Sequence, residues 1–154
     1  MLGVGEPAPD FSISFPDGST RTLVSLRGRP VILFFFPKAN TSGCTRETRG
    51  FAERYEHLRN AGFEVIGVSV DTPKTQAAFA ERCGSRFPMV GDPSKAVARA
   101  YGVLGMLGVA KRVTFLVDRN GTIRDMVEGL MPGPHLAVAE RWAEESSPKA
   151  PTGT

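Results

Sequence analysis

Short apolar runs alternate with longer amphipathic stretches along the chain, which is the pattern of a domain built from both strands and helices. Residues 30–36 and 63–70 are continuous runs rich in β-branched and aromatic side chains, typical of strands buried on both faces. Between them, residues 43–61 place apolar side chains at helical spacing and end before Gly62, which predicts a helix. A strand, a helix and a strand of these lengths predict a parallel pair with a right-handed crossover.

A second helix is predicted to follow the second strand. Thr72 can cap it, Pro73 suits its first turn, and the stretch KTQAAFAERC forms its body. Residues 87–90 then predict a short strand, and the stretch PSKAVARAY predicts a short helix. These elements continue the alternation of strand and helix that is typical of an α/β domain.

The two ends of the chain complete a three-layer domain. An Asn-Gly pair at 120–121, between two apolar runs, predicts a hairpin, and residues 135–145 predict the last helix. Residues 1–29 predict short strands and turns, an N-terminal β extension. We therefore expect one α/β domain over residues 1–145, with helices flanking a central mixed sheet that is parallel in the middle and antiparallel near the hairpin. Residues 146–154 predict a flexible tail.

Composition and charge exclude several classes of protein. The 154 residues are 41% hydrophobic and 23% charged, as in a globular protein of one domain, and the net charge is +3. Lys111 and Arg112 are the only adjacent cations, so the charge pattern argues against a nucleic-acid partner. The first residues lack the pattern of a signal peptide, and the longest apolar run, residues 31–36, is too short to span a membrane. We therefore expect a cytoplasmic protein with no membrane partner.

The chain has two cysteines, Cys44 and Cys83. Two cysteines are too few for the disulfide framework of a small secreted protein. Their spacing relative to His57 and His135 matches no common zinc site, so no metal is expected. In a reducing compartment such cysteines are either inert core residues or reactive thiols.

The stretch PKANTSGCT, residues 37–45, favours a reactive thiol at Cys44. It follows the first buried strand, at the carboxyl end where the sites of such sheets lie. Cys44 falls in or next to the first turn of the following helix, where unpaired N–H groups favour an anion and lower the pKa of a thiol. Three residues earlier, the Thr41 hydroxyl can hydrogen-bond the thiolate or a bound substrate. Three residues later, the carboxylate of Glu47 would raise the pKa of the thiol unless the carboxylate pairs with an arginine.

Pro37, Thr41 and Cys44 form the pattern P-x-x-x-T-x-x-C, which resembles the active-site motif of the peroxiredoxins. The surrounding stretch FFFPKANTSGCTRE is similar to their bacterioferritin-comigratory, or Q-type, subgroup. The similarity extends to GEPAPDFSI, FEVIGVSVD, FAERCGSRFPMVGD and KRVTFLVDRNGTI. The resemblance implies a thioredoxin-like fold and a thiol-dependent peroxidase that reduces hydrogen peroxide and organic hydroperoxides. It implies neither a metal nor an organic cofactor.

The resemblance also implies a role for each site residue. Cys44 matches the peroxidatic cysteine, whose thiolate attacks a peroxide oxygen and becomes a sulfenic acid. Thr41 matches the hydroxyl that binds the peroxide, and Pro37 matches the shielding proline. Arg112 matches the active-site arginine and Glu47 the acid that orients it. This agrees with the separate expectation that Glu47 needs a cationic partner.

One position departs from the subgroup. Many members carry a resolving cysteine five residues after the peroxidatic one, where this chain has Arg49. Cys83, near the end of the second predicted helix, is the other candidate, as in some relatives. This resemblance implies an intramolecular disulfide between Cys44 and Cys83, which a thioredoxin-like dithiol reduces. The helical turn at Cys44 would have to unwind before this disulfide could form. In the alternative, Cys83 is a bystander and an external thiol reduces Cys44.

Further alternatives stay open at this point. The stretch GVLGMLGVA, residues 102–110, predicts an apolar loop that is either merely flexible or a hydrophobic lip for organic hydroperoxides or a reductant. A non-catalytic peroxide sensor that passes oxidation from Cys44 to a partner would share the first chemical step. A disulfide reductase is disfavoured because the chain has no C-x-x-C pair. We expect a monomer, because no long apolar surface stripe is visible beyond those that the core requires.

Overall fold

The computed structural model describes residues 1–146, and residues 147–154 of the predicted tail lie outside the described part of the chain. Its strands are β1 (Ser12–Ser14), β2 (Thr20–Thr22), β3 (Val31–Phe35), β4 (Glu64–Ser69), β5 (Met89–Gly91), β6 (Val113–Val117) and β7 (Ile123–Glu128). Its α-helices are α1 (Ser42–Asn60), α2 (Pro73–Cys83), α3 (Ala96–Ala100) and α4 (Pro132–Ser146). As predicted, Thr72 caps α2 by accepting a hydrogen bond from the Thr75 N–H, and Pro73 lies in its first turn.

Five strands form one mixed sheet in the order β5-β4-β3-β6-β7, and β1 and β2 form a separate hairpin. β3, β4 and β5 are parallel, whereas β6 and β7 are antiparallel to their neighbours. The expected mixed sheet is confirmed with one correction: the parallel strands occupy one half of the sheet, and antiparallel β6 pairs directly with central β3. Two crossovers of the same hand carry the chain from β3 to β4 and on to β5, which leaves the other side of β3 to the hairpin of β6 and β7.

β3 is the centre of the fold because its side chains enter hydrophobic cores on both faces of the sheet. Leu33 and Phe35 belong to a core that includes residues of α3 and the N-terminal hairpin. Ile32 and Phe34 belong to a second core with residues of α1, α2 and α4. All four side chains are fully buried, as the continuous apolar run predicts. In the described chain, no helix is both long and apolar enough to cross a membrane.

Helices α1 and α4 pack against each other, and buried polar side chains of the two helices meet where they touch. Gly50 is a point of close approach, since a Cβ atom there would lie 2.4 Å from Leu136 Cδ1. α4 begins at Pro132, three residues earlier than predicted, because a proline in the first turn removes no intrahelical hydrogen bond. His135 therefore lies inside the helix and faces Glu47 of α1.

Candidate active site

Cys44 is the third residue of α1, and only 1% of its surface is exposed. The backbone N–H groups of the first helical turn have no partner within the helix. Arg112 donates from Nη2 to Cys44 Sγ at 3.4 Å. Gly43 leaves room for this guanidinium, since a Cβ atom there would lie 3.0 Å from Nη2. The helix start and the guanidinium both favour a negative charge on the sulfur, whereas burial opposes it.

Arg112 immediately precedes β6 and is held by three hydrogen bonds. Nε donates to the Leu130 carbonyl oxygen at 2.8 Å, and Nη1 donates to Glu47 Oε1 at 2.6 Å. The third bond is the contact with Cys44. Burial alone would lower the pKa of Arg112, but the charges of Glu47 and Cys44 raise it. The side chain is therefore a cation fixed in one orientation beside the sulfur.

Glu47 lies one helical turn after Cys44 and has no exposed surface. Its ion pair with Arg112 supplies the partner that the sequence analysis expected. Burial raises the pKa of Glu47 from its ordinary value of 4.5 to about 7, although Arg112 opposes the rise. Its other oxygen, Oε2, has no hydrogen-bond partner in the part of the chain that the structure describes.

His135 is a site residue that the sequence analysis missed, having weighed it only as a metal ligand. Its ring is fully buried, with Nδ1 2.7 Å from Thr114 Oγ1 and 3.8 Å from Glu47 Oε2. A signal was present in the sequence. His135 precedes Val138, Ala139 and Trp142 at helical spacing, which places a titratable ring on the apolar face of the last helix.

Thr41 and Pro37 lie in the loop between β3 and α1. Thr41 is the N-cap residue of α1, but its hydroxyl makes no capping bond and donates instead to the Lys38 carbonyl oxygen at 2.8 Å. Pro37 is half-buried. The loop thus presents the Thr41 oxygen at the helix start, close in sequence to Cys44.

The same loop is anchored from the end of β4. The Ala39 N–H donates to Asp71 Oδ2 at 2.8 Å, and the Ser69 hydroxyl donates to the same oxygen at 2.6 Å. Arg82 of α2 donates to the Asn40 side chain, and Asn40 has a left-handed backbone with φ 67°. Asp71 could not be predicted as a site residue, because no local pattern in the sequence shows that it binds a loop 32 residues away.

Cys83 is the last residue of α2 and is buried with a free thiol, as is Cys44. Burial raises the pKa of the Cys83 thiol, and the side chains of Arg49 and Arg82 oppose the rise. Both cysteines belong to the same hydrophobic core between the sheet and the helices. The two thiols therefore lie in the same hydrophobic core but are not joined by a disulfide bond.

Two apolar segments adjoin Arg112, one along the sequence and one through a hydrogen bond. The loop at 102–110 ends just before it and exposes Met106 and Leu107 almost completely. The turn before α4, which binds Arg112 through the Leu130 carbonyl, exposes the side chains of Leu130 and Met131. Within residues 1–146, no group of three or more His, Cys, Asp or Glu side chains could hold a metal ion.

Known proteins resemble this chain over most of its length. The sequence model of a family described as "AhpC/TSA family" matches residues 4–126. Peroxiredoxin Bcp of Escherichia coli K12 is 32% identical over 151 residues, which cover 94% of this chain and 97% of that protein. The crystal structure of peroxidoxin BcpB from Mycobacterium tuberculosis superposes with a TM-score of 0.85 at 30% identity, covering 94% of this chain and 98% of that one.

A second solved structure concerns the alkyl peroxide reduction activity of the bacterioferritin comigratory protein of Xanthomonas campestris. It superposes with a TM-score of 0.80 at 28% identity and covers 89% of this chain and 92% of that one. These similarities include the strands and the helix that surround Cys44 and Arg112, since the matched family segment spans both residues.

Proposed function

This chain belongs to the AhpC/TSA family as a Q-type peroxiredoxin, a thiol-dependent peroxidase, and we propose that Cys44 is its peroxidatic residue. The observation that carries the proposal is the contact from Arg112 Nη2 to Cys44 Sγ in the first turn of a helix. A fixed cation beside a thiol stabilises the thiolate, which is the nucleophilic form. An inert core cysteine would need no such partner.

The proposed reaction is an in-line attack of the Cys44 thiolate on one oxygen of a hydroperoxide. An S–O bond forms as the O–O bond breaks, and the sulfur is oxidised to a sulfenic acid. The leaving alkoxide or hydroxide takes up a proton and departs as alcohol or water. Arg112 and the unpaired N–H groups of the first turn of α1 stabilise the charge that moves onto the oxygens.

Thr41 acts in this proposal as a hydrogen-bond acceptor. Its hydroxyl hydrogen is directed at the Lys38 carbonyl, so the lone pairs of the oxygen remain to accept a bond from the O–H of the hydroperoxide. The donors in the site, Arg112 and the backbone N–H groups, then bind the peroxide oxygens. Pro37 shields the site, since it is half-buried at the end of β3 and has no N–H of its own.

Cys83 is proposed to resolve the sulfenic acid. Its thiolate would attack the Cys44 sulfur, the S–O bond would break as the disulfide forms, and the leaving hydroxide would take up a proton and depart as water. A thioredoxin-like dithiol would then reduce the disulfide. The packing of α2 against α1 and the shared core support this pairing. Arg49 and Arg82 favour the attacking thiolate against the effect of burial. Cys44 is buried in the first turn of α1, so we propose that this turn unwinds when the disulfide forms.

Intact mass measured after one equivalent of hydrogen peroxide, with no added thiol, tests the cycle. A loss of about two daltons is expected from a Cys44–Cys83 disulfide. A gain of about 16 or 32 daltons would instead show a sulfenic or sulfinic acid on Cys44, and a one-cysteine cycle with an external thiol. An unchanged mass within seconds would contradict the assignment of Cys44.

A peroxide sensor would give the same mass changes as a peroxidase. Catalytic turnover separates the two, because a sensor passes its oxidation to one partner protein and does not consume peroxide repeatedly with a dithiol reductant. The cytoplasmic location and the monomeric state expected from the sequence stay predictions.

We further propose that the exposed apolar side chains beside Arg112 bind the organic group of a hydroperoxide. Met106 and Leu107 are exposed on the loop that precedes Arg112 in the sequence, and Leu130 is exposed on the turn whose carbonyl accepts from Arg112 Nε. Leu104 packs against the core, so it is less suited to contact a substrate.

Replacing Met106, Leu107 and Leu130 together with serine should raise the KM for a bulky organic hydroperoxide about five-fold, the effect of losing about 1 kcal/mol of apolar contact. The KM for hydrogen peroxide should not change, because hydrogen peroxide has no apolar group. Val4→Ser, at an exposed apolar residue on the N-terminal segment, is the matched control. Equal changes in KM for both peroxides would contradict the proposal that these three side chains bind the organic group.

A further inference from the structure

A buried polar cluster beside Arg112 has no part in the reaction described above. It comprises His135, Thr114 and the Oε2 oxygen of Glu47, and none of these side chains is exposed. Oε2 has no hydrogen-bond partner in the described chain, although it lies 3.8 Å from His135 Nδ1. A buried carboxylate oxygen without a donor is costly, so the cluster needs a physical explanation.

The hydrogen bonds of His135 fix the tautomer of its neutral ring. Nε2 lies 2.9 Å from the Gly129 carbonyl oxygen, which can only accept, so Nε2 carries the ring proton. Nδ1 is then an acceptor, and the Thr114 hydroxyl donates to it at 2.7 Å. An unprotonated nitrogen therefore faces an unprotonated oxygen of Glu47. One added proton, on either atom, would replace this repulsion between lone pairs with an attraction, and the two atoms, now 3.8 Å apart, would then move closer to form a hydrogen bond.

This proton is coupled to the sulfur through Arg112. The ionisable groups that meet here are Cys44 and Glu47 on α1, Arg112 before β6, and His135 on α4. A thiolate and a carboxylate together place two negative charges on one guanidinium. A proton shared by Glu47 and His135 cancels one of them, so the charge of Arg112 then serves the thiolate alone.

We propose that Glu47 and His135 hold one proton between them while Cys44 is a thiolate, which makes His135 a positioning residue of the peroxidase site. This inference rests on the proposed role of Cys44. When the thiolate becomes a neutral sulfenic acid, the negative charge that favoured the stored proton disappears, and the pair holds the proton less tightly. Thiolate, hydroperoxide and one proton give sulfenic acid and alcohol, so the proton becomes available in the step that consumes one.

The electrostatics of the two groups agree with this geometry. Burial raises the pKa of Glu47 to about 7 and lowers the pKa of His135. The carboxyl of Glu47 thus titrates near neutral pH in the folded protein, which is the range in which a proton can be bound and released.

Two variants, both in a Cys83→Ser background, test the inference by moving the thiolate titration in opposite directions. His135→Gln keeps a donor for the Gly129 carbonyl but offers no nitrogen that binds a proton. It should raise the midpoint of the Cys44 thiolate titration, followed by ultraviolet absorbance, by about one pH unit. Below the wild-type midpoint the rate with hydrogen peroxide should fall about ten-fold.

Thr114→Val removes the hydroxyl that occupies Nδ1 and leaves the ring free to bind the proton. It should lower the midpoint of the Cys44 titration. A purely structural role for His135 predicts shifts of the same sign, or none, in the two variants, and either result would overturn the inference. Rapid oxidation of the unsubstituted protein by hydrogen peroxide would still uphold the proposed function in that case.

A measurement without substitutions in the cluster keeps the test decisive if a variant fails to fold. The His135 ring can be followed by NMR as a function of pH, with His57→Gln identifying the second histidine. Capping Cys44 as a neutral methyl disulfide, again with Cys83→Ser, removes the thiolate charge. The midpoint sensed by the His135 ring should fall after capping. An unchanged midpoint would show that the pair and the thiolate are not coupled.

Discussion

Cys44→Ser should abolish peroxide consumption, with a loss of at least about 10⁴-fold, because a serine hydroxyl is not ionised near neutral pH and is a weak nucleophile without a base. The fold should be retained, since serine is close in size to cysteine and can accept the hydrogen bond from Arg112. Peroxide consumption in the presence of a dithiol, together with thermal unfolding, measures both expectations.

Cys83→Ser is the matched control because it removes the other buried thiol. It should keep the wild-type rate of the first oxidation in a single turnover. If Cys83 resolves the sulfenic acid, the variant should lose turnover with a thioredoxin-like dithiol and keep turnover with a small thiol. A Cys44→Ser protein that still consumes peroxide, or a Cys83→Ser protein that loses the first oxidation, would refute the assignment of Cys44.

Local sequence patterns predicted most of the fold, because each depends on neighbouring residues. Strand β3 was predicted from a continuous apolar run, and the start of α2 was predicted from the Thr72 cap. Each signal lies within a few neighbouring residues and can be read directly from the sequence. The position of the antiparallel β6 beside β3 could not be read this way. It depends on the pairing of strands that lie about 80 residues apart, and no local pattern records that pairing.

The meeting of Arg112 with Cys44 shows why the site was only partly predictable. Without the family resemblance, nothing in the chain indicates which of many arginines would reach Glu47. The register of the sheet decides it: Phe35 of β3 lies opposite Val113 of β6, so residue 112 emerges beside the start of α1. Asp71 was missed for the same reason, since its partner lies on another element. For His135 the sequence showed only a titratable ring on an apolar helix face, and its partners Thr114 and Glu47 again lie on other elements.

Arg112→Met should lower the rate of Cys44 oxidation by about 10²- to 10³-fold, the usual cost of removing one donor to developing negative charge. Above the folded pKa of Glu47, it should also lower the free energy of unfolding by about 3 to 5 kcal/mol, because Glu47 is then a buried carboxylate without its cation. Stopped-flow oxidation and urea unfolding measure the two effects. The double variant Arg112→Met with Glu47→Gln separates them. It should recover most of the stability and none of the rate.

The stability of Arg112→Met should also depend on pH in a direction that identifies Glu47 as the cause. Burial already raises the pKa of Glu47 from 4.5 to about 7 in the presence of Arg112, and loss of the cation raises it further. An acid with a higher pKa in the folded than in the unfolded protein stabilises the fold below its unfolded value. That stability is lost as the pH rises through the folded value.

Relative to the double variant, Arg112→Met should therefore be most stable near pH 4.5 and lose at least about 3 kcal/mol as the pH rises beyond the folded pKa of Glu47. Subtracting the two unfolding curves removes the titration of every other group, because the proteins differ only in the side chain at 47. A difference that stays constant over this range would mean that another residue, and not an unpaired Glu47 carboxylate, limits the stability of the site.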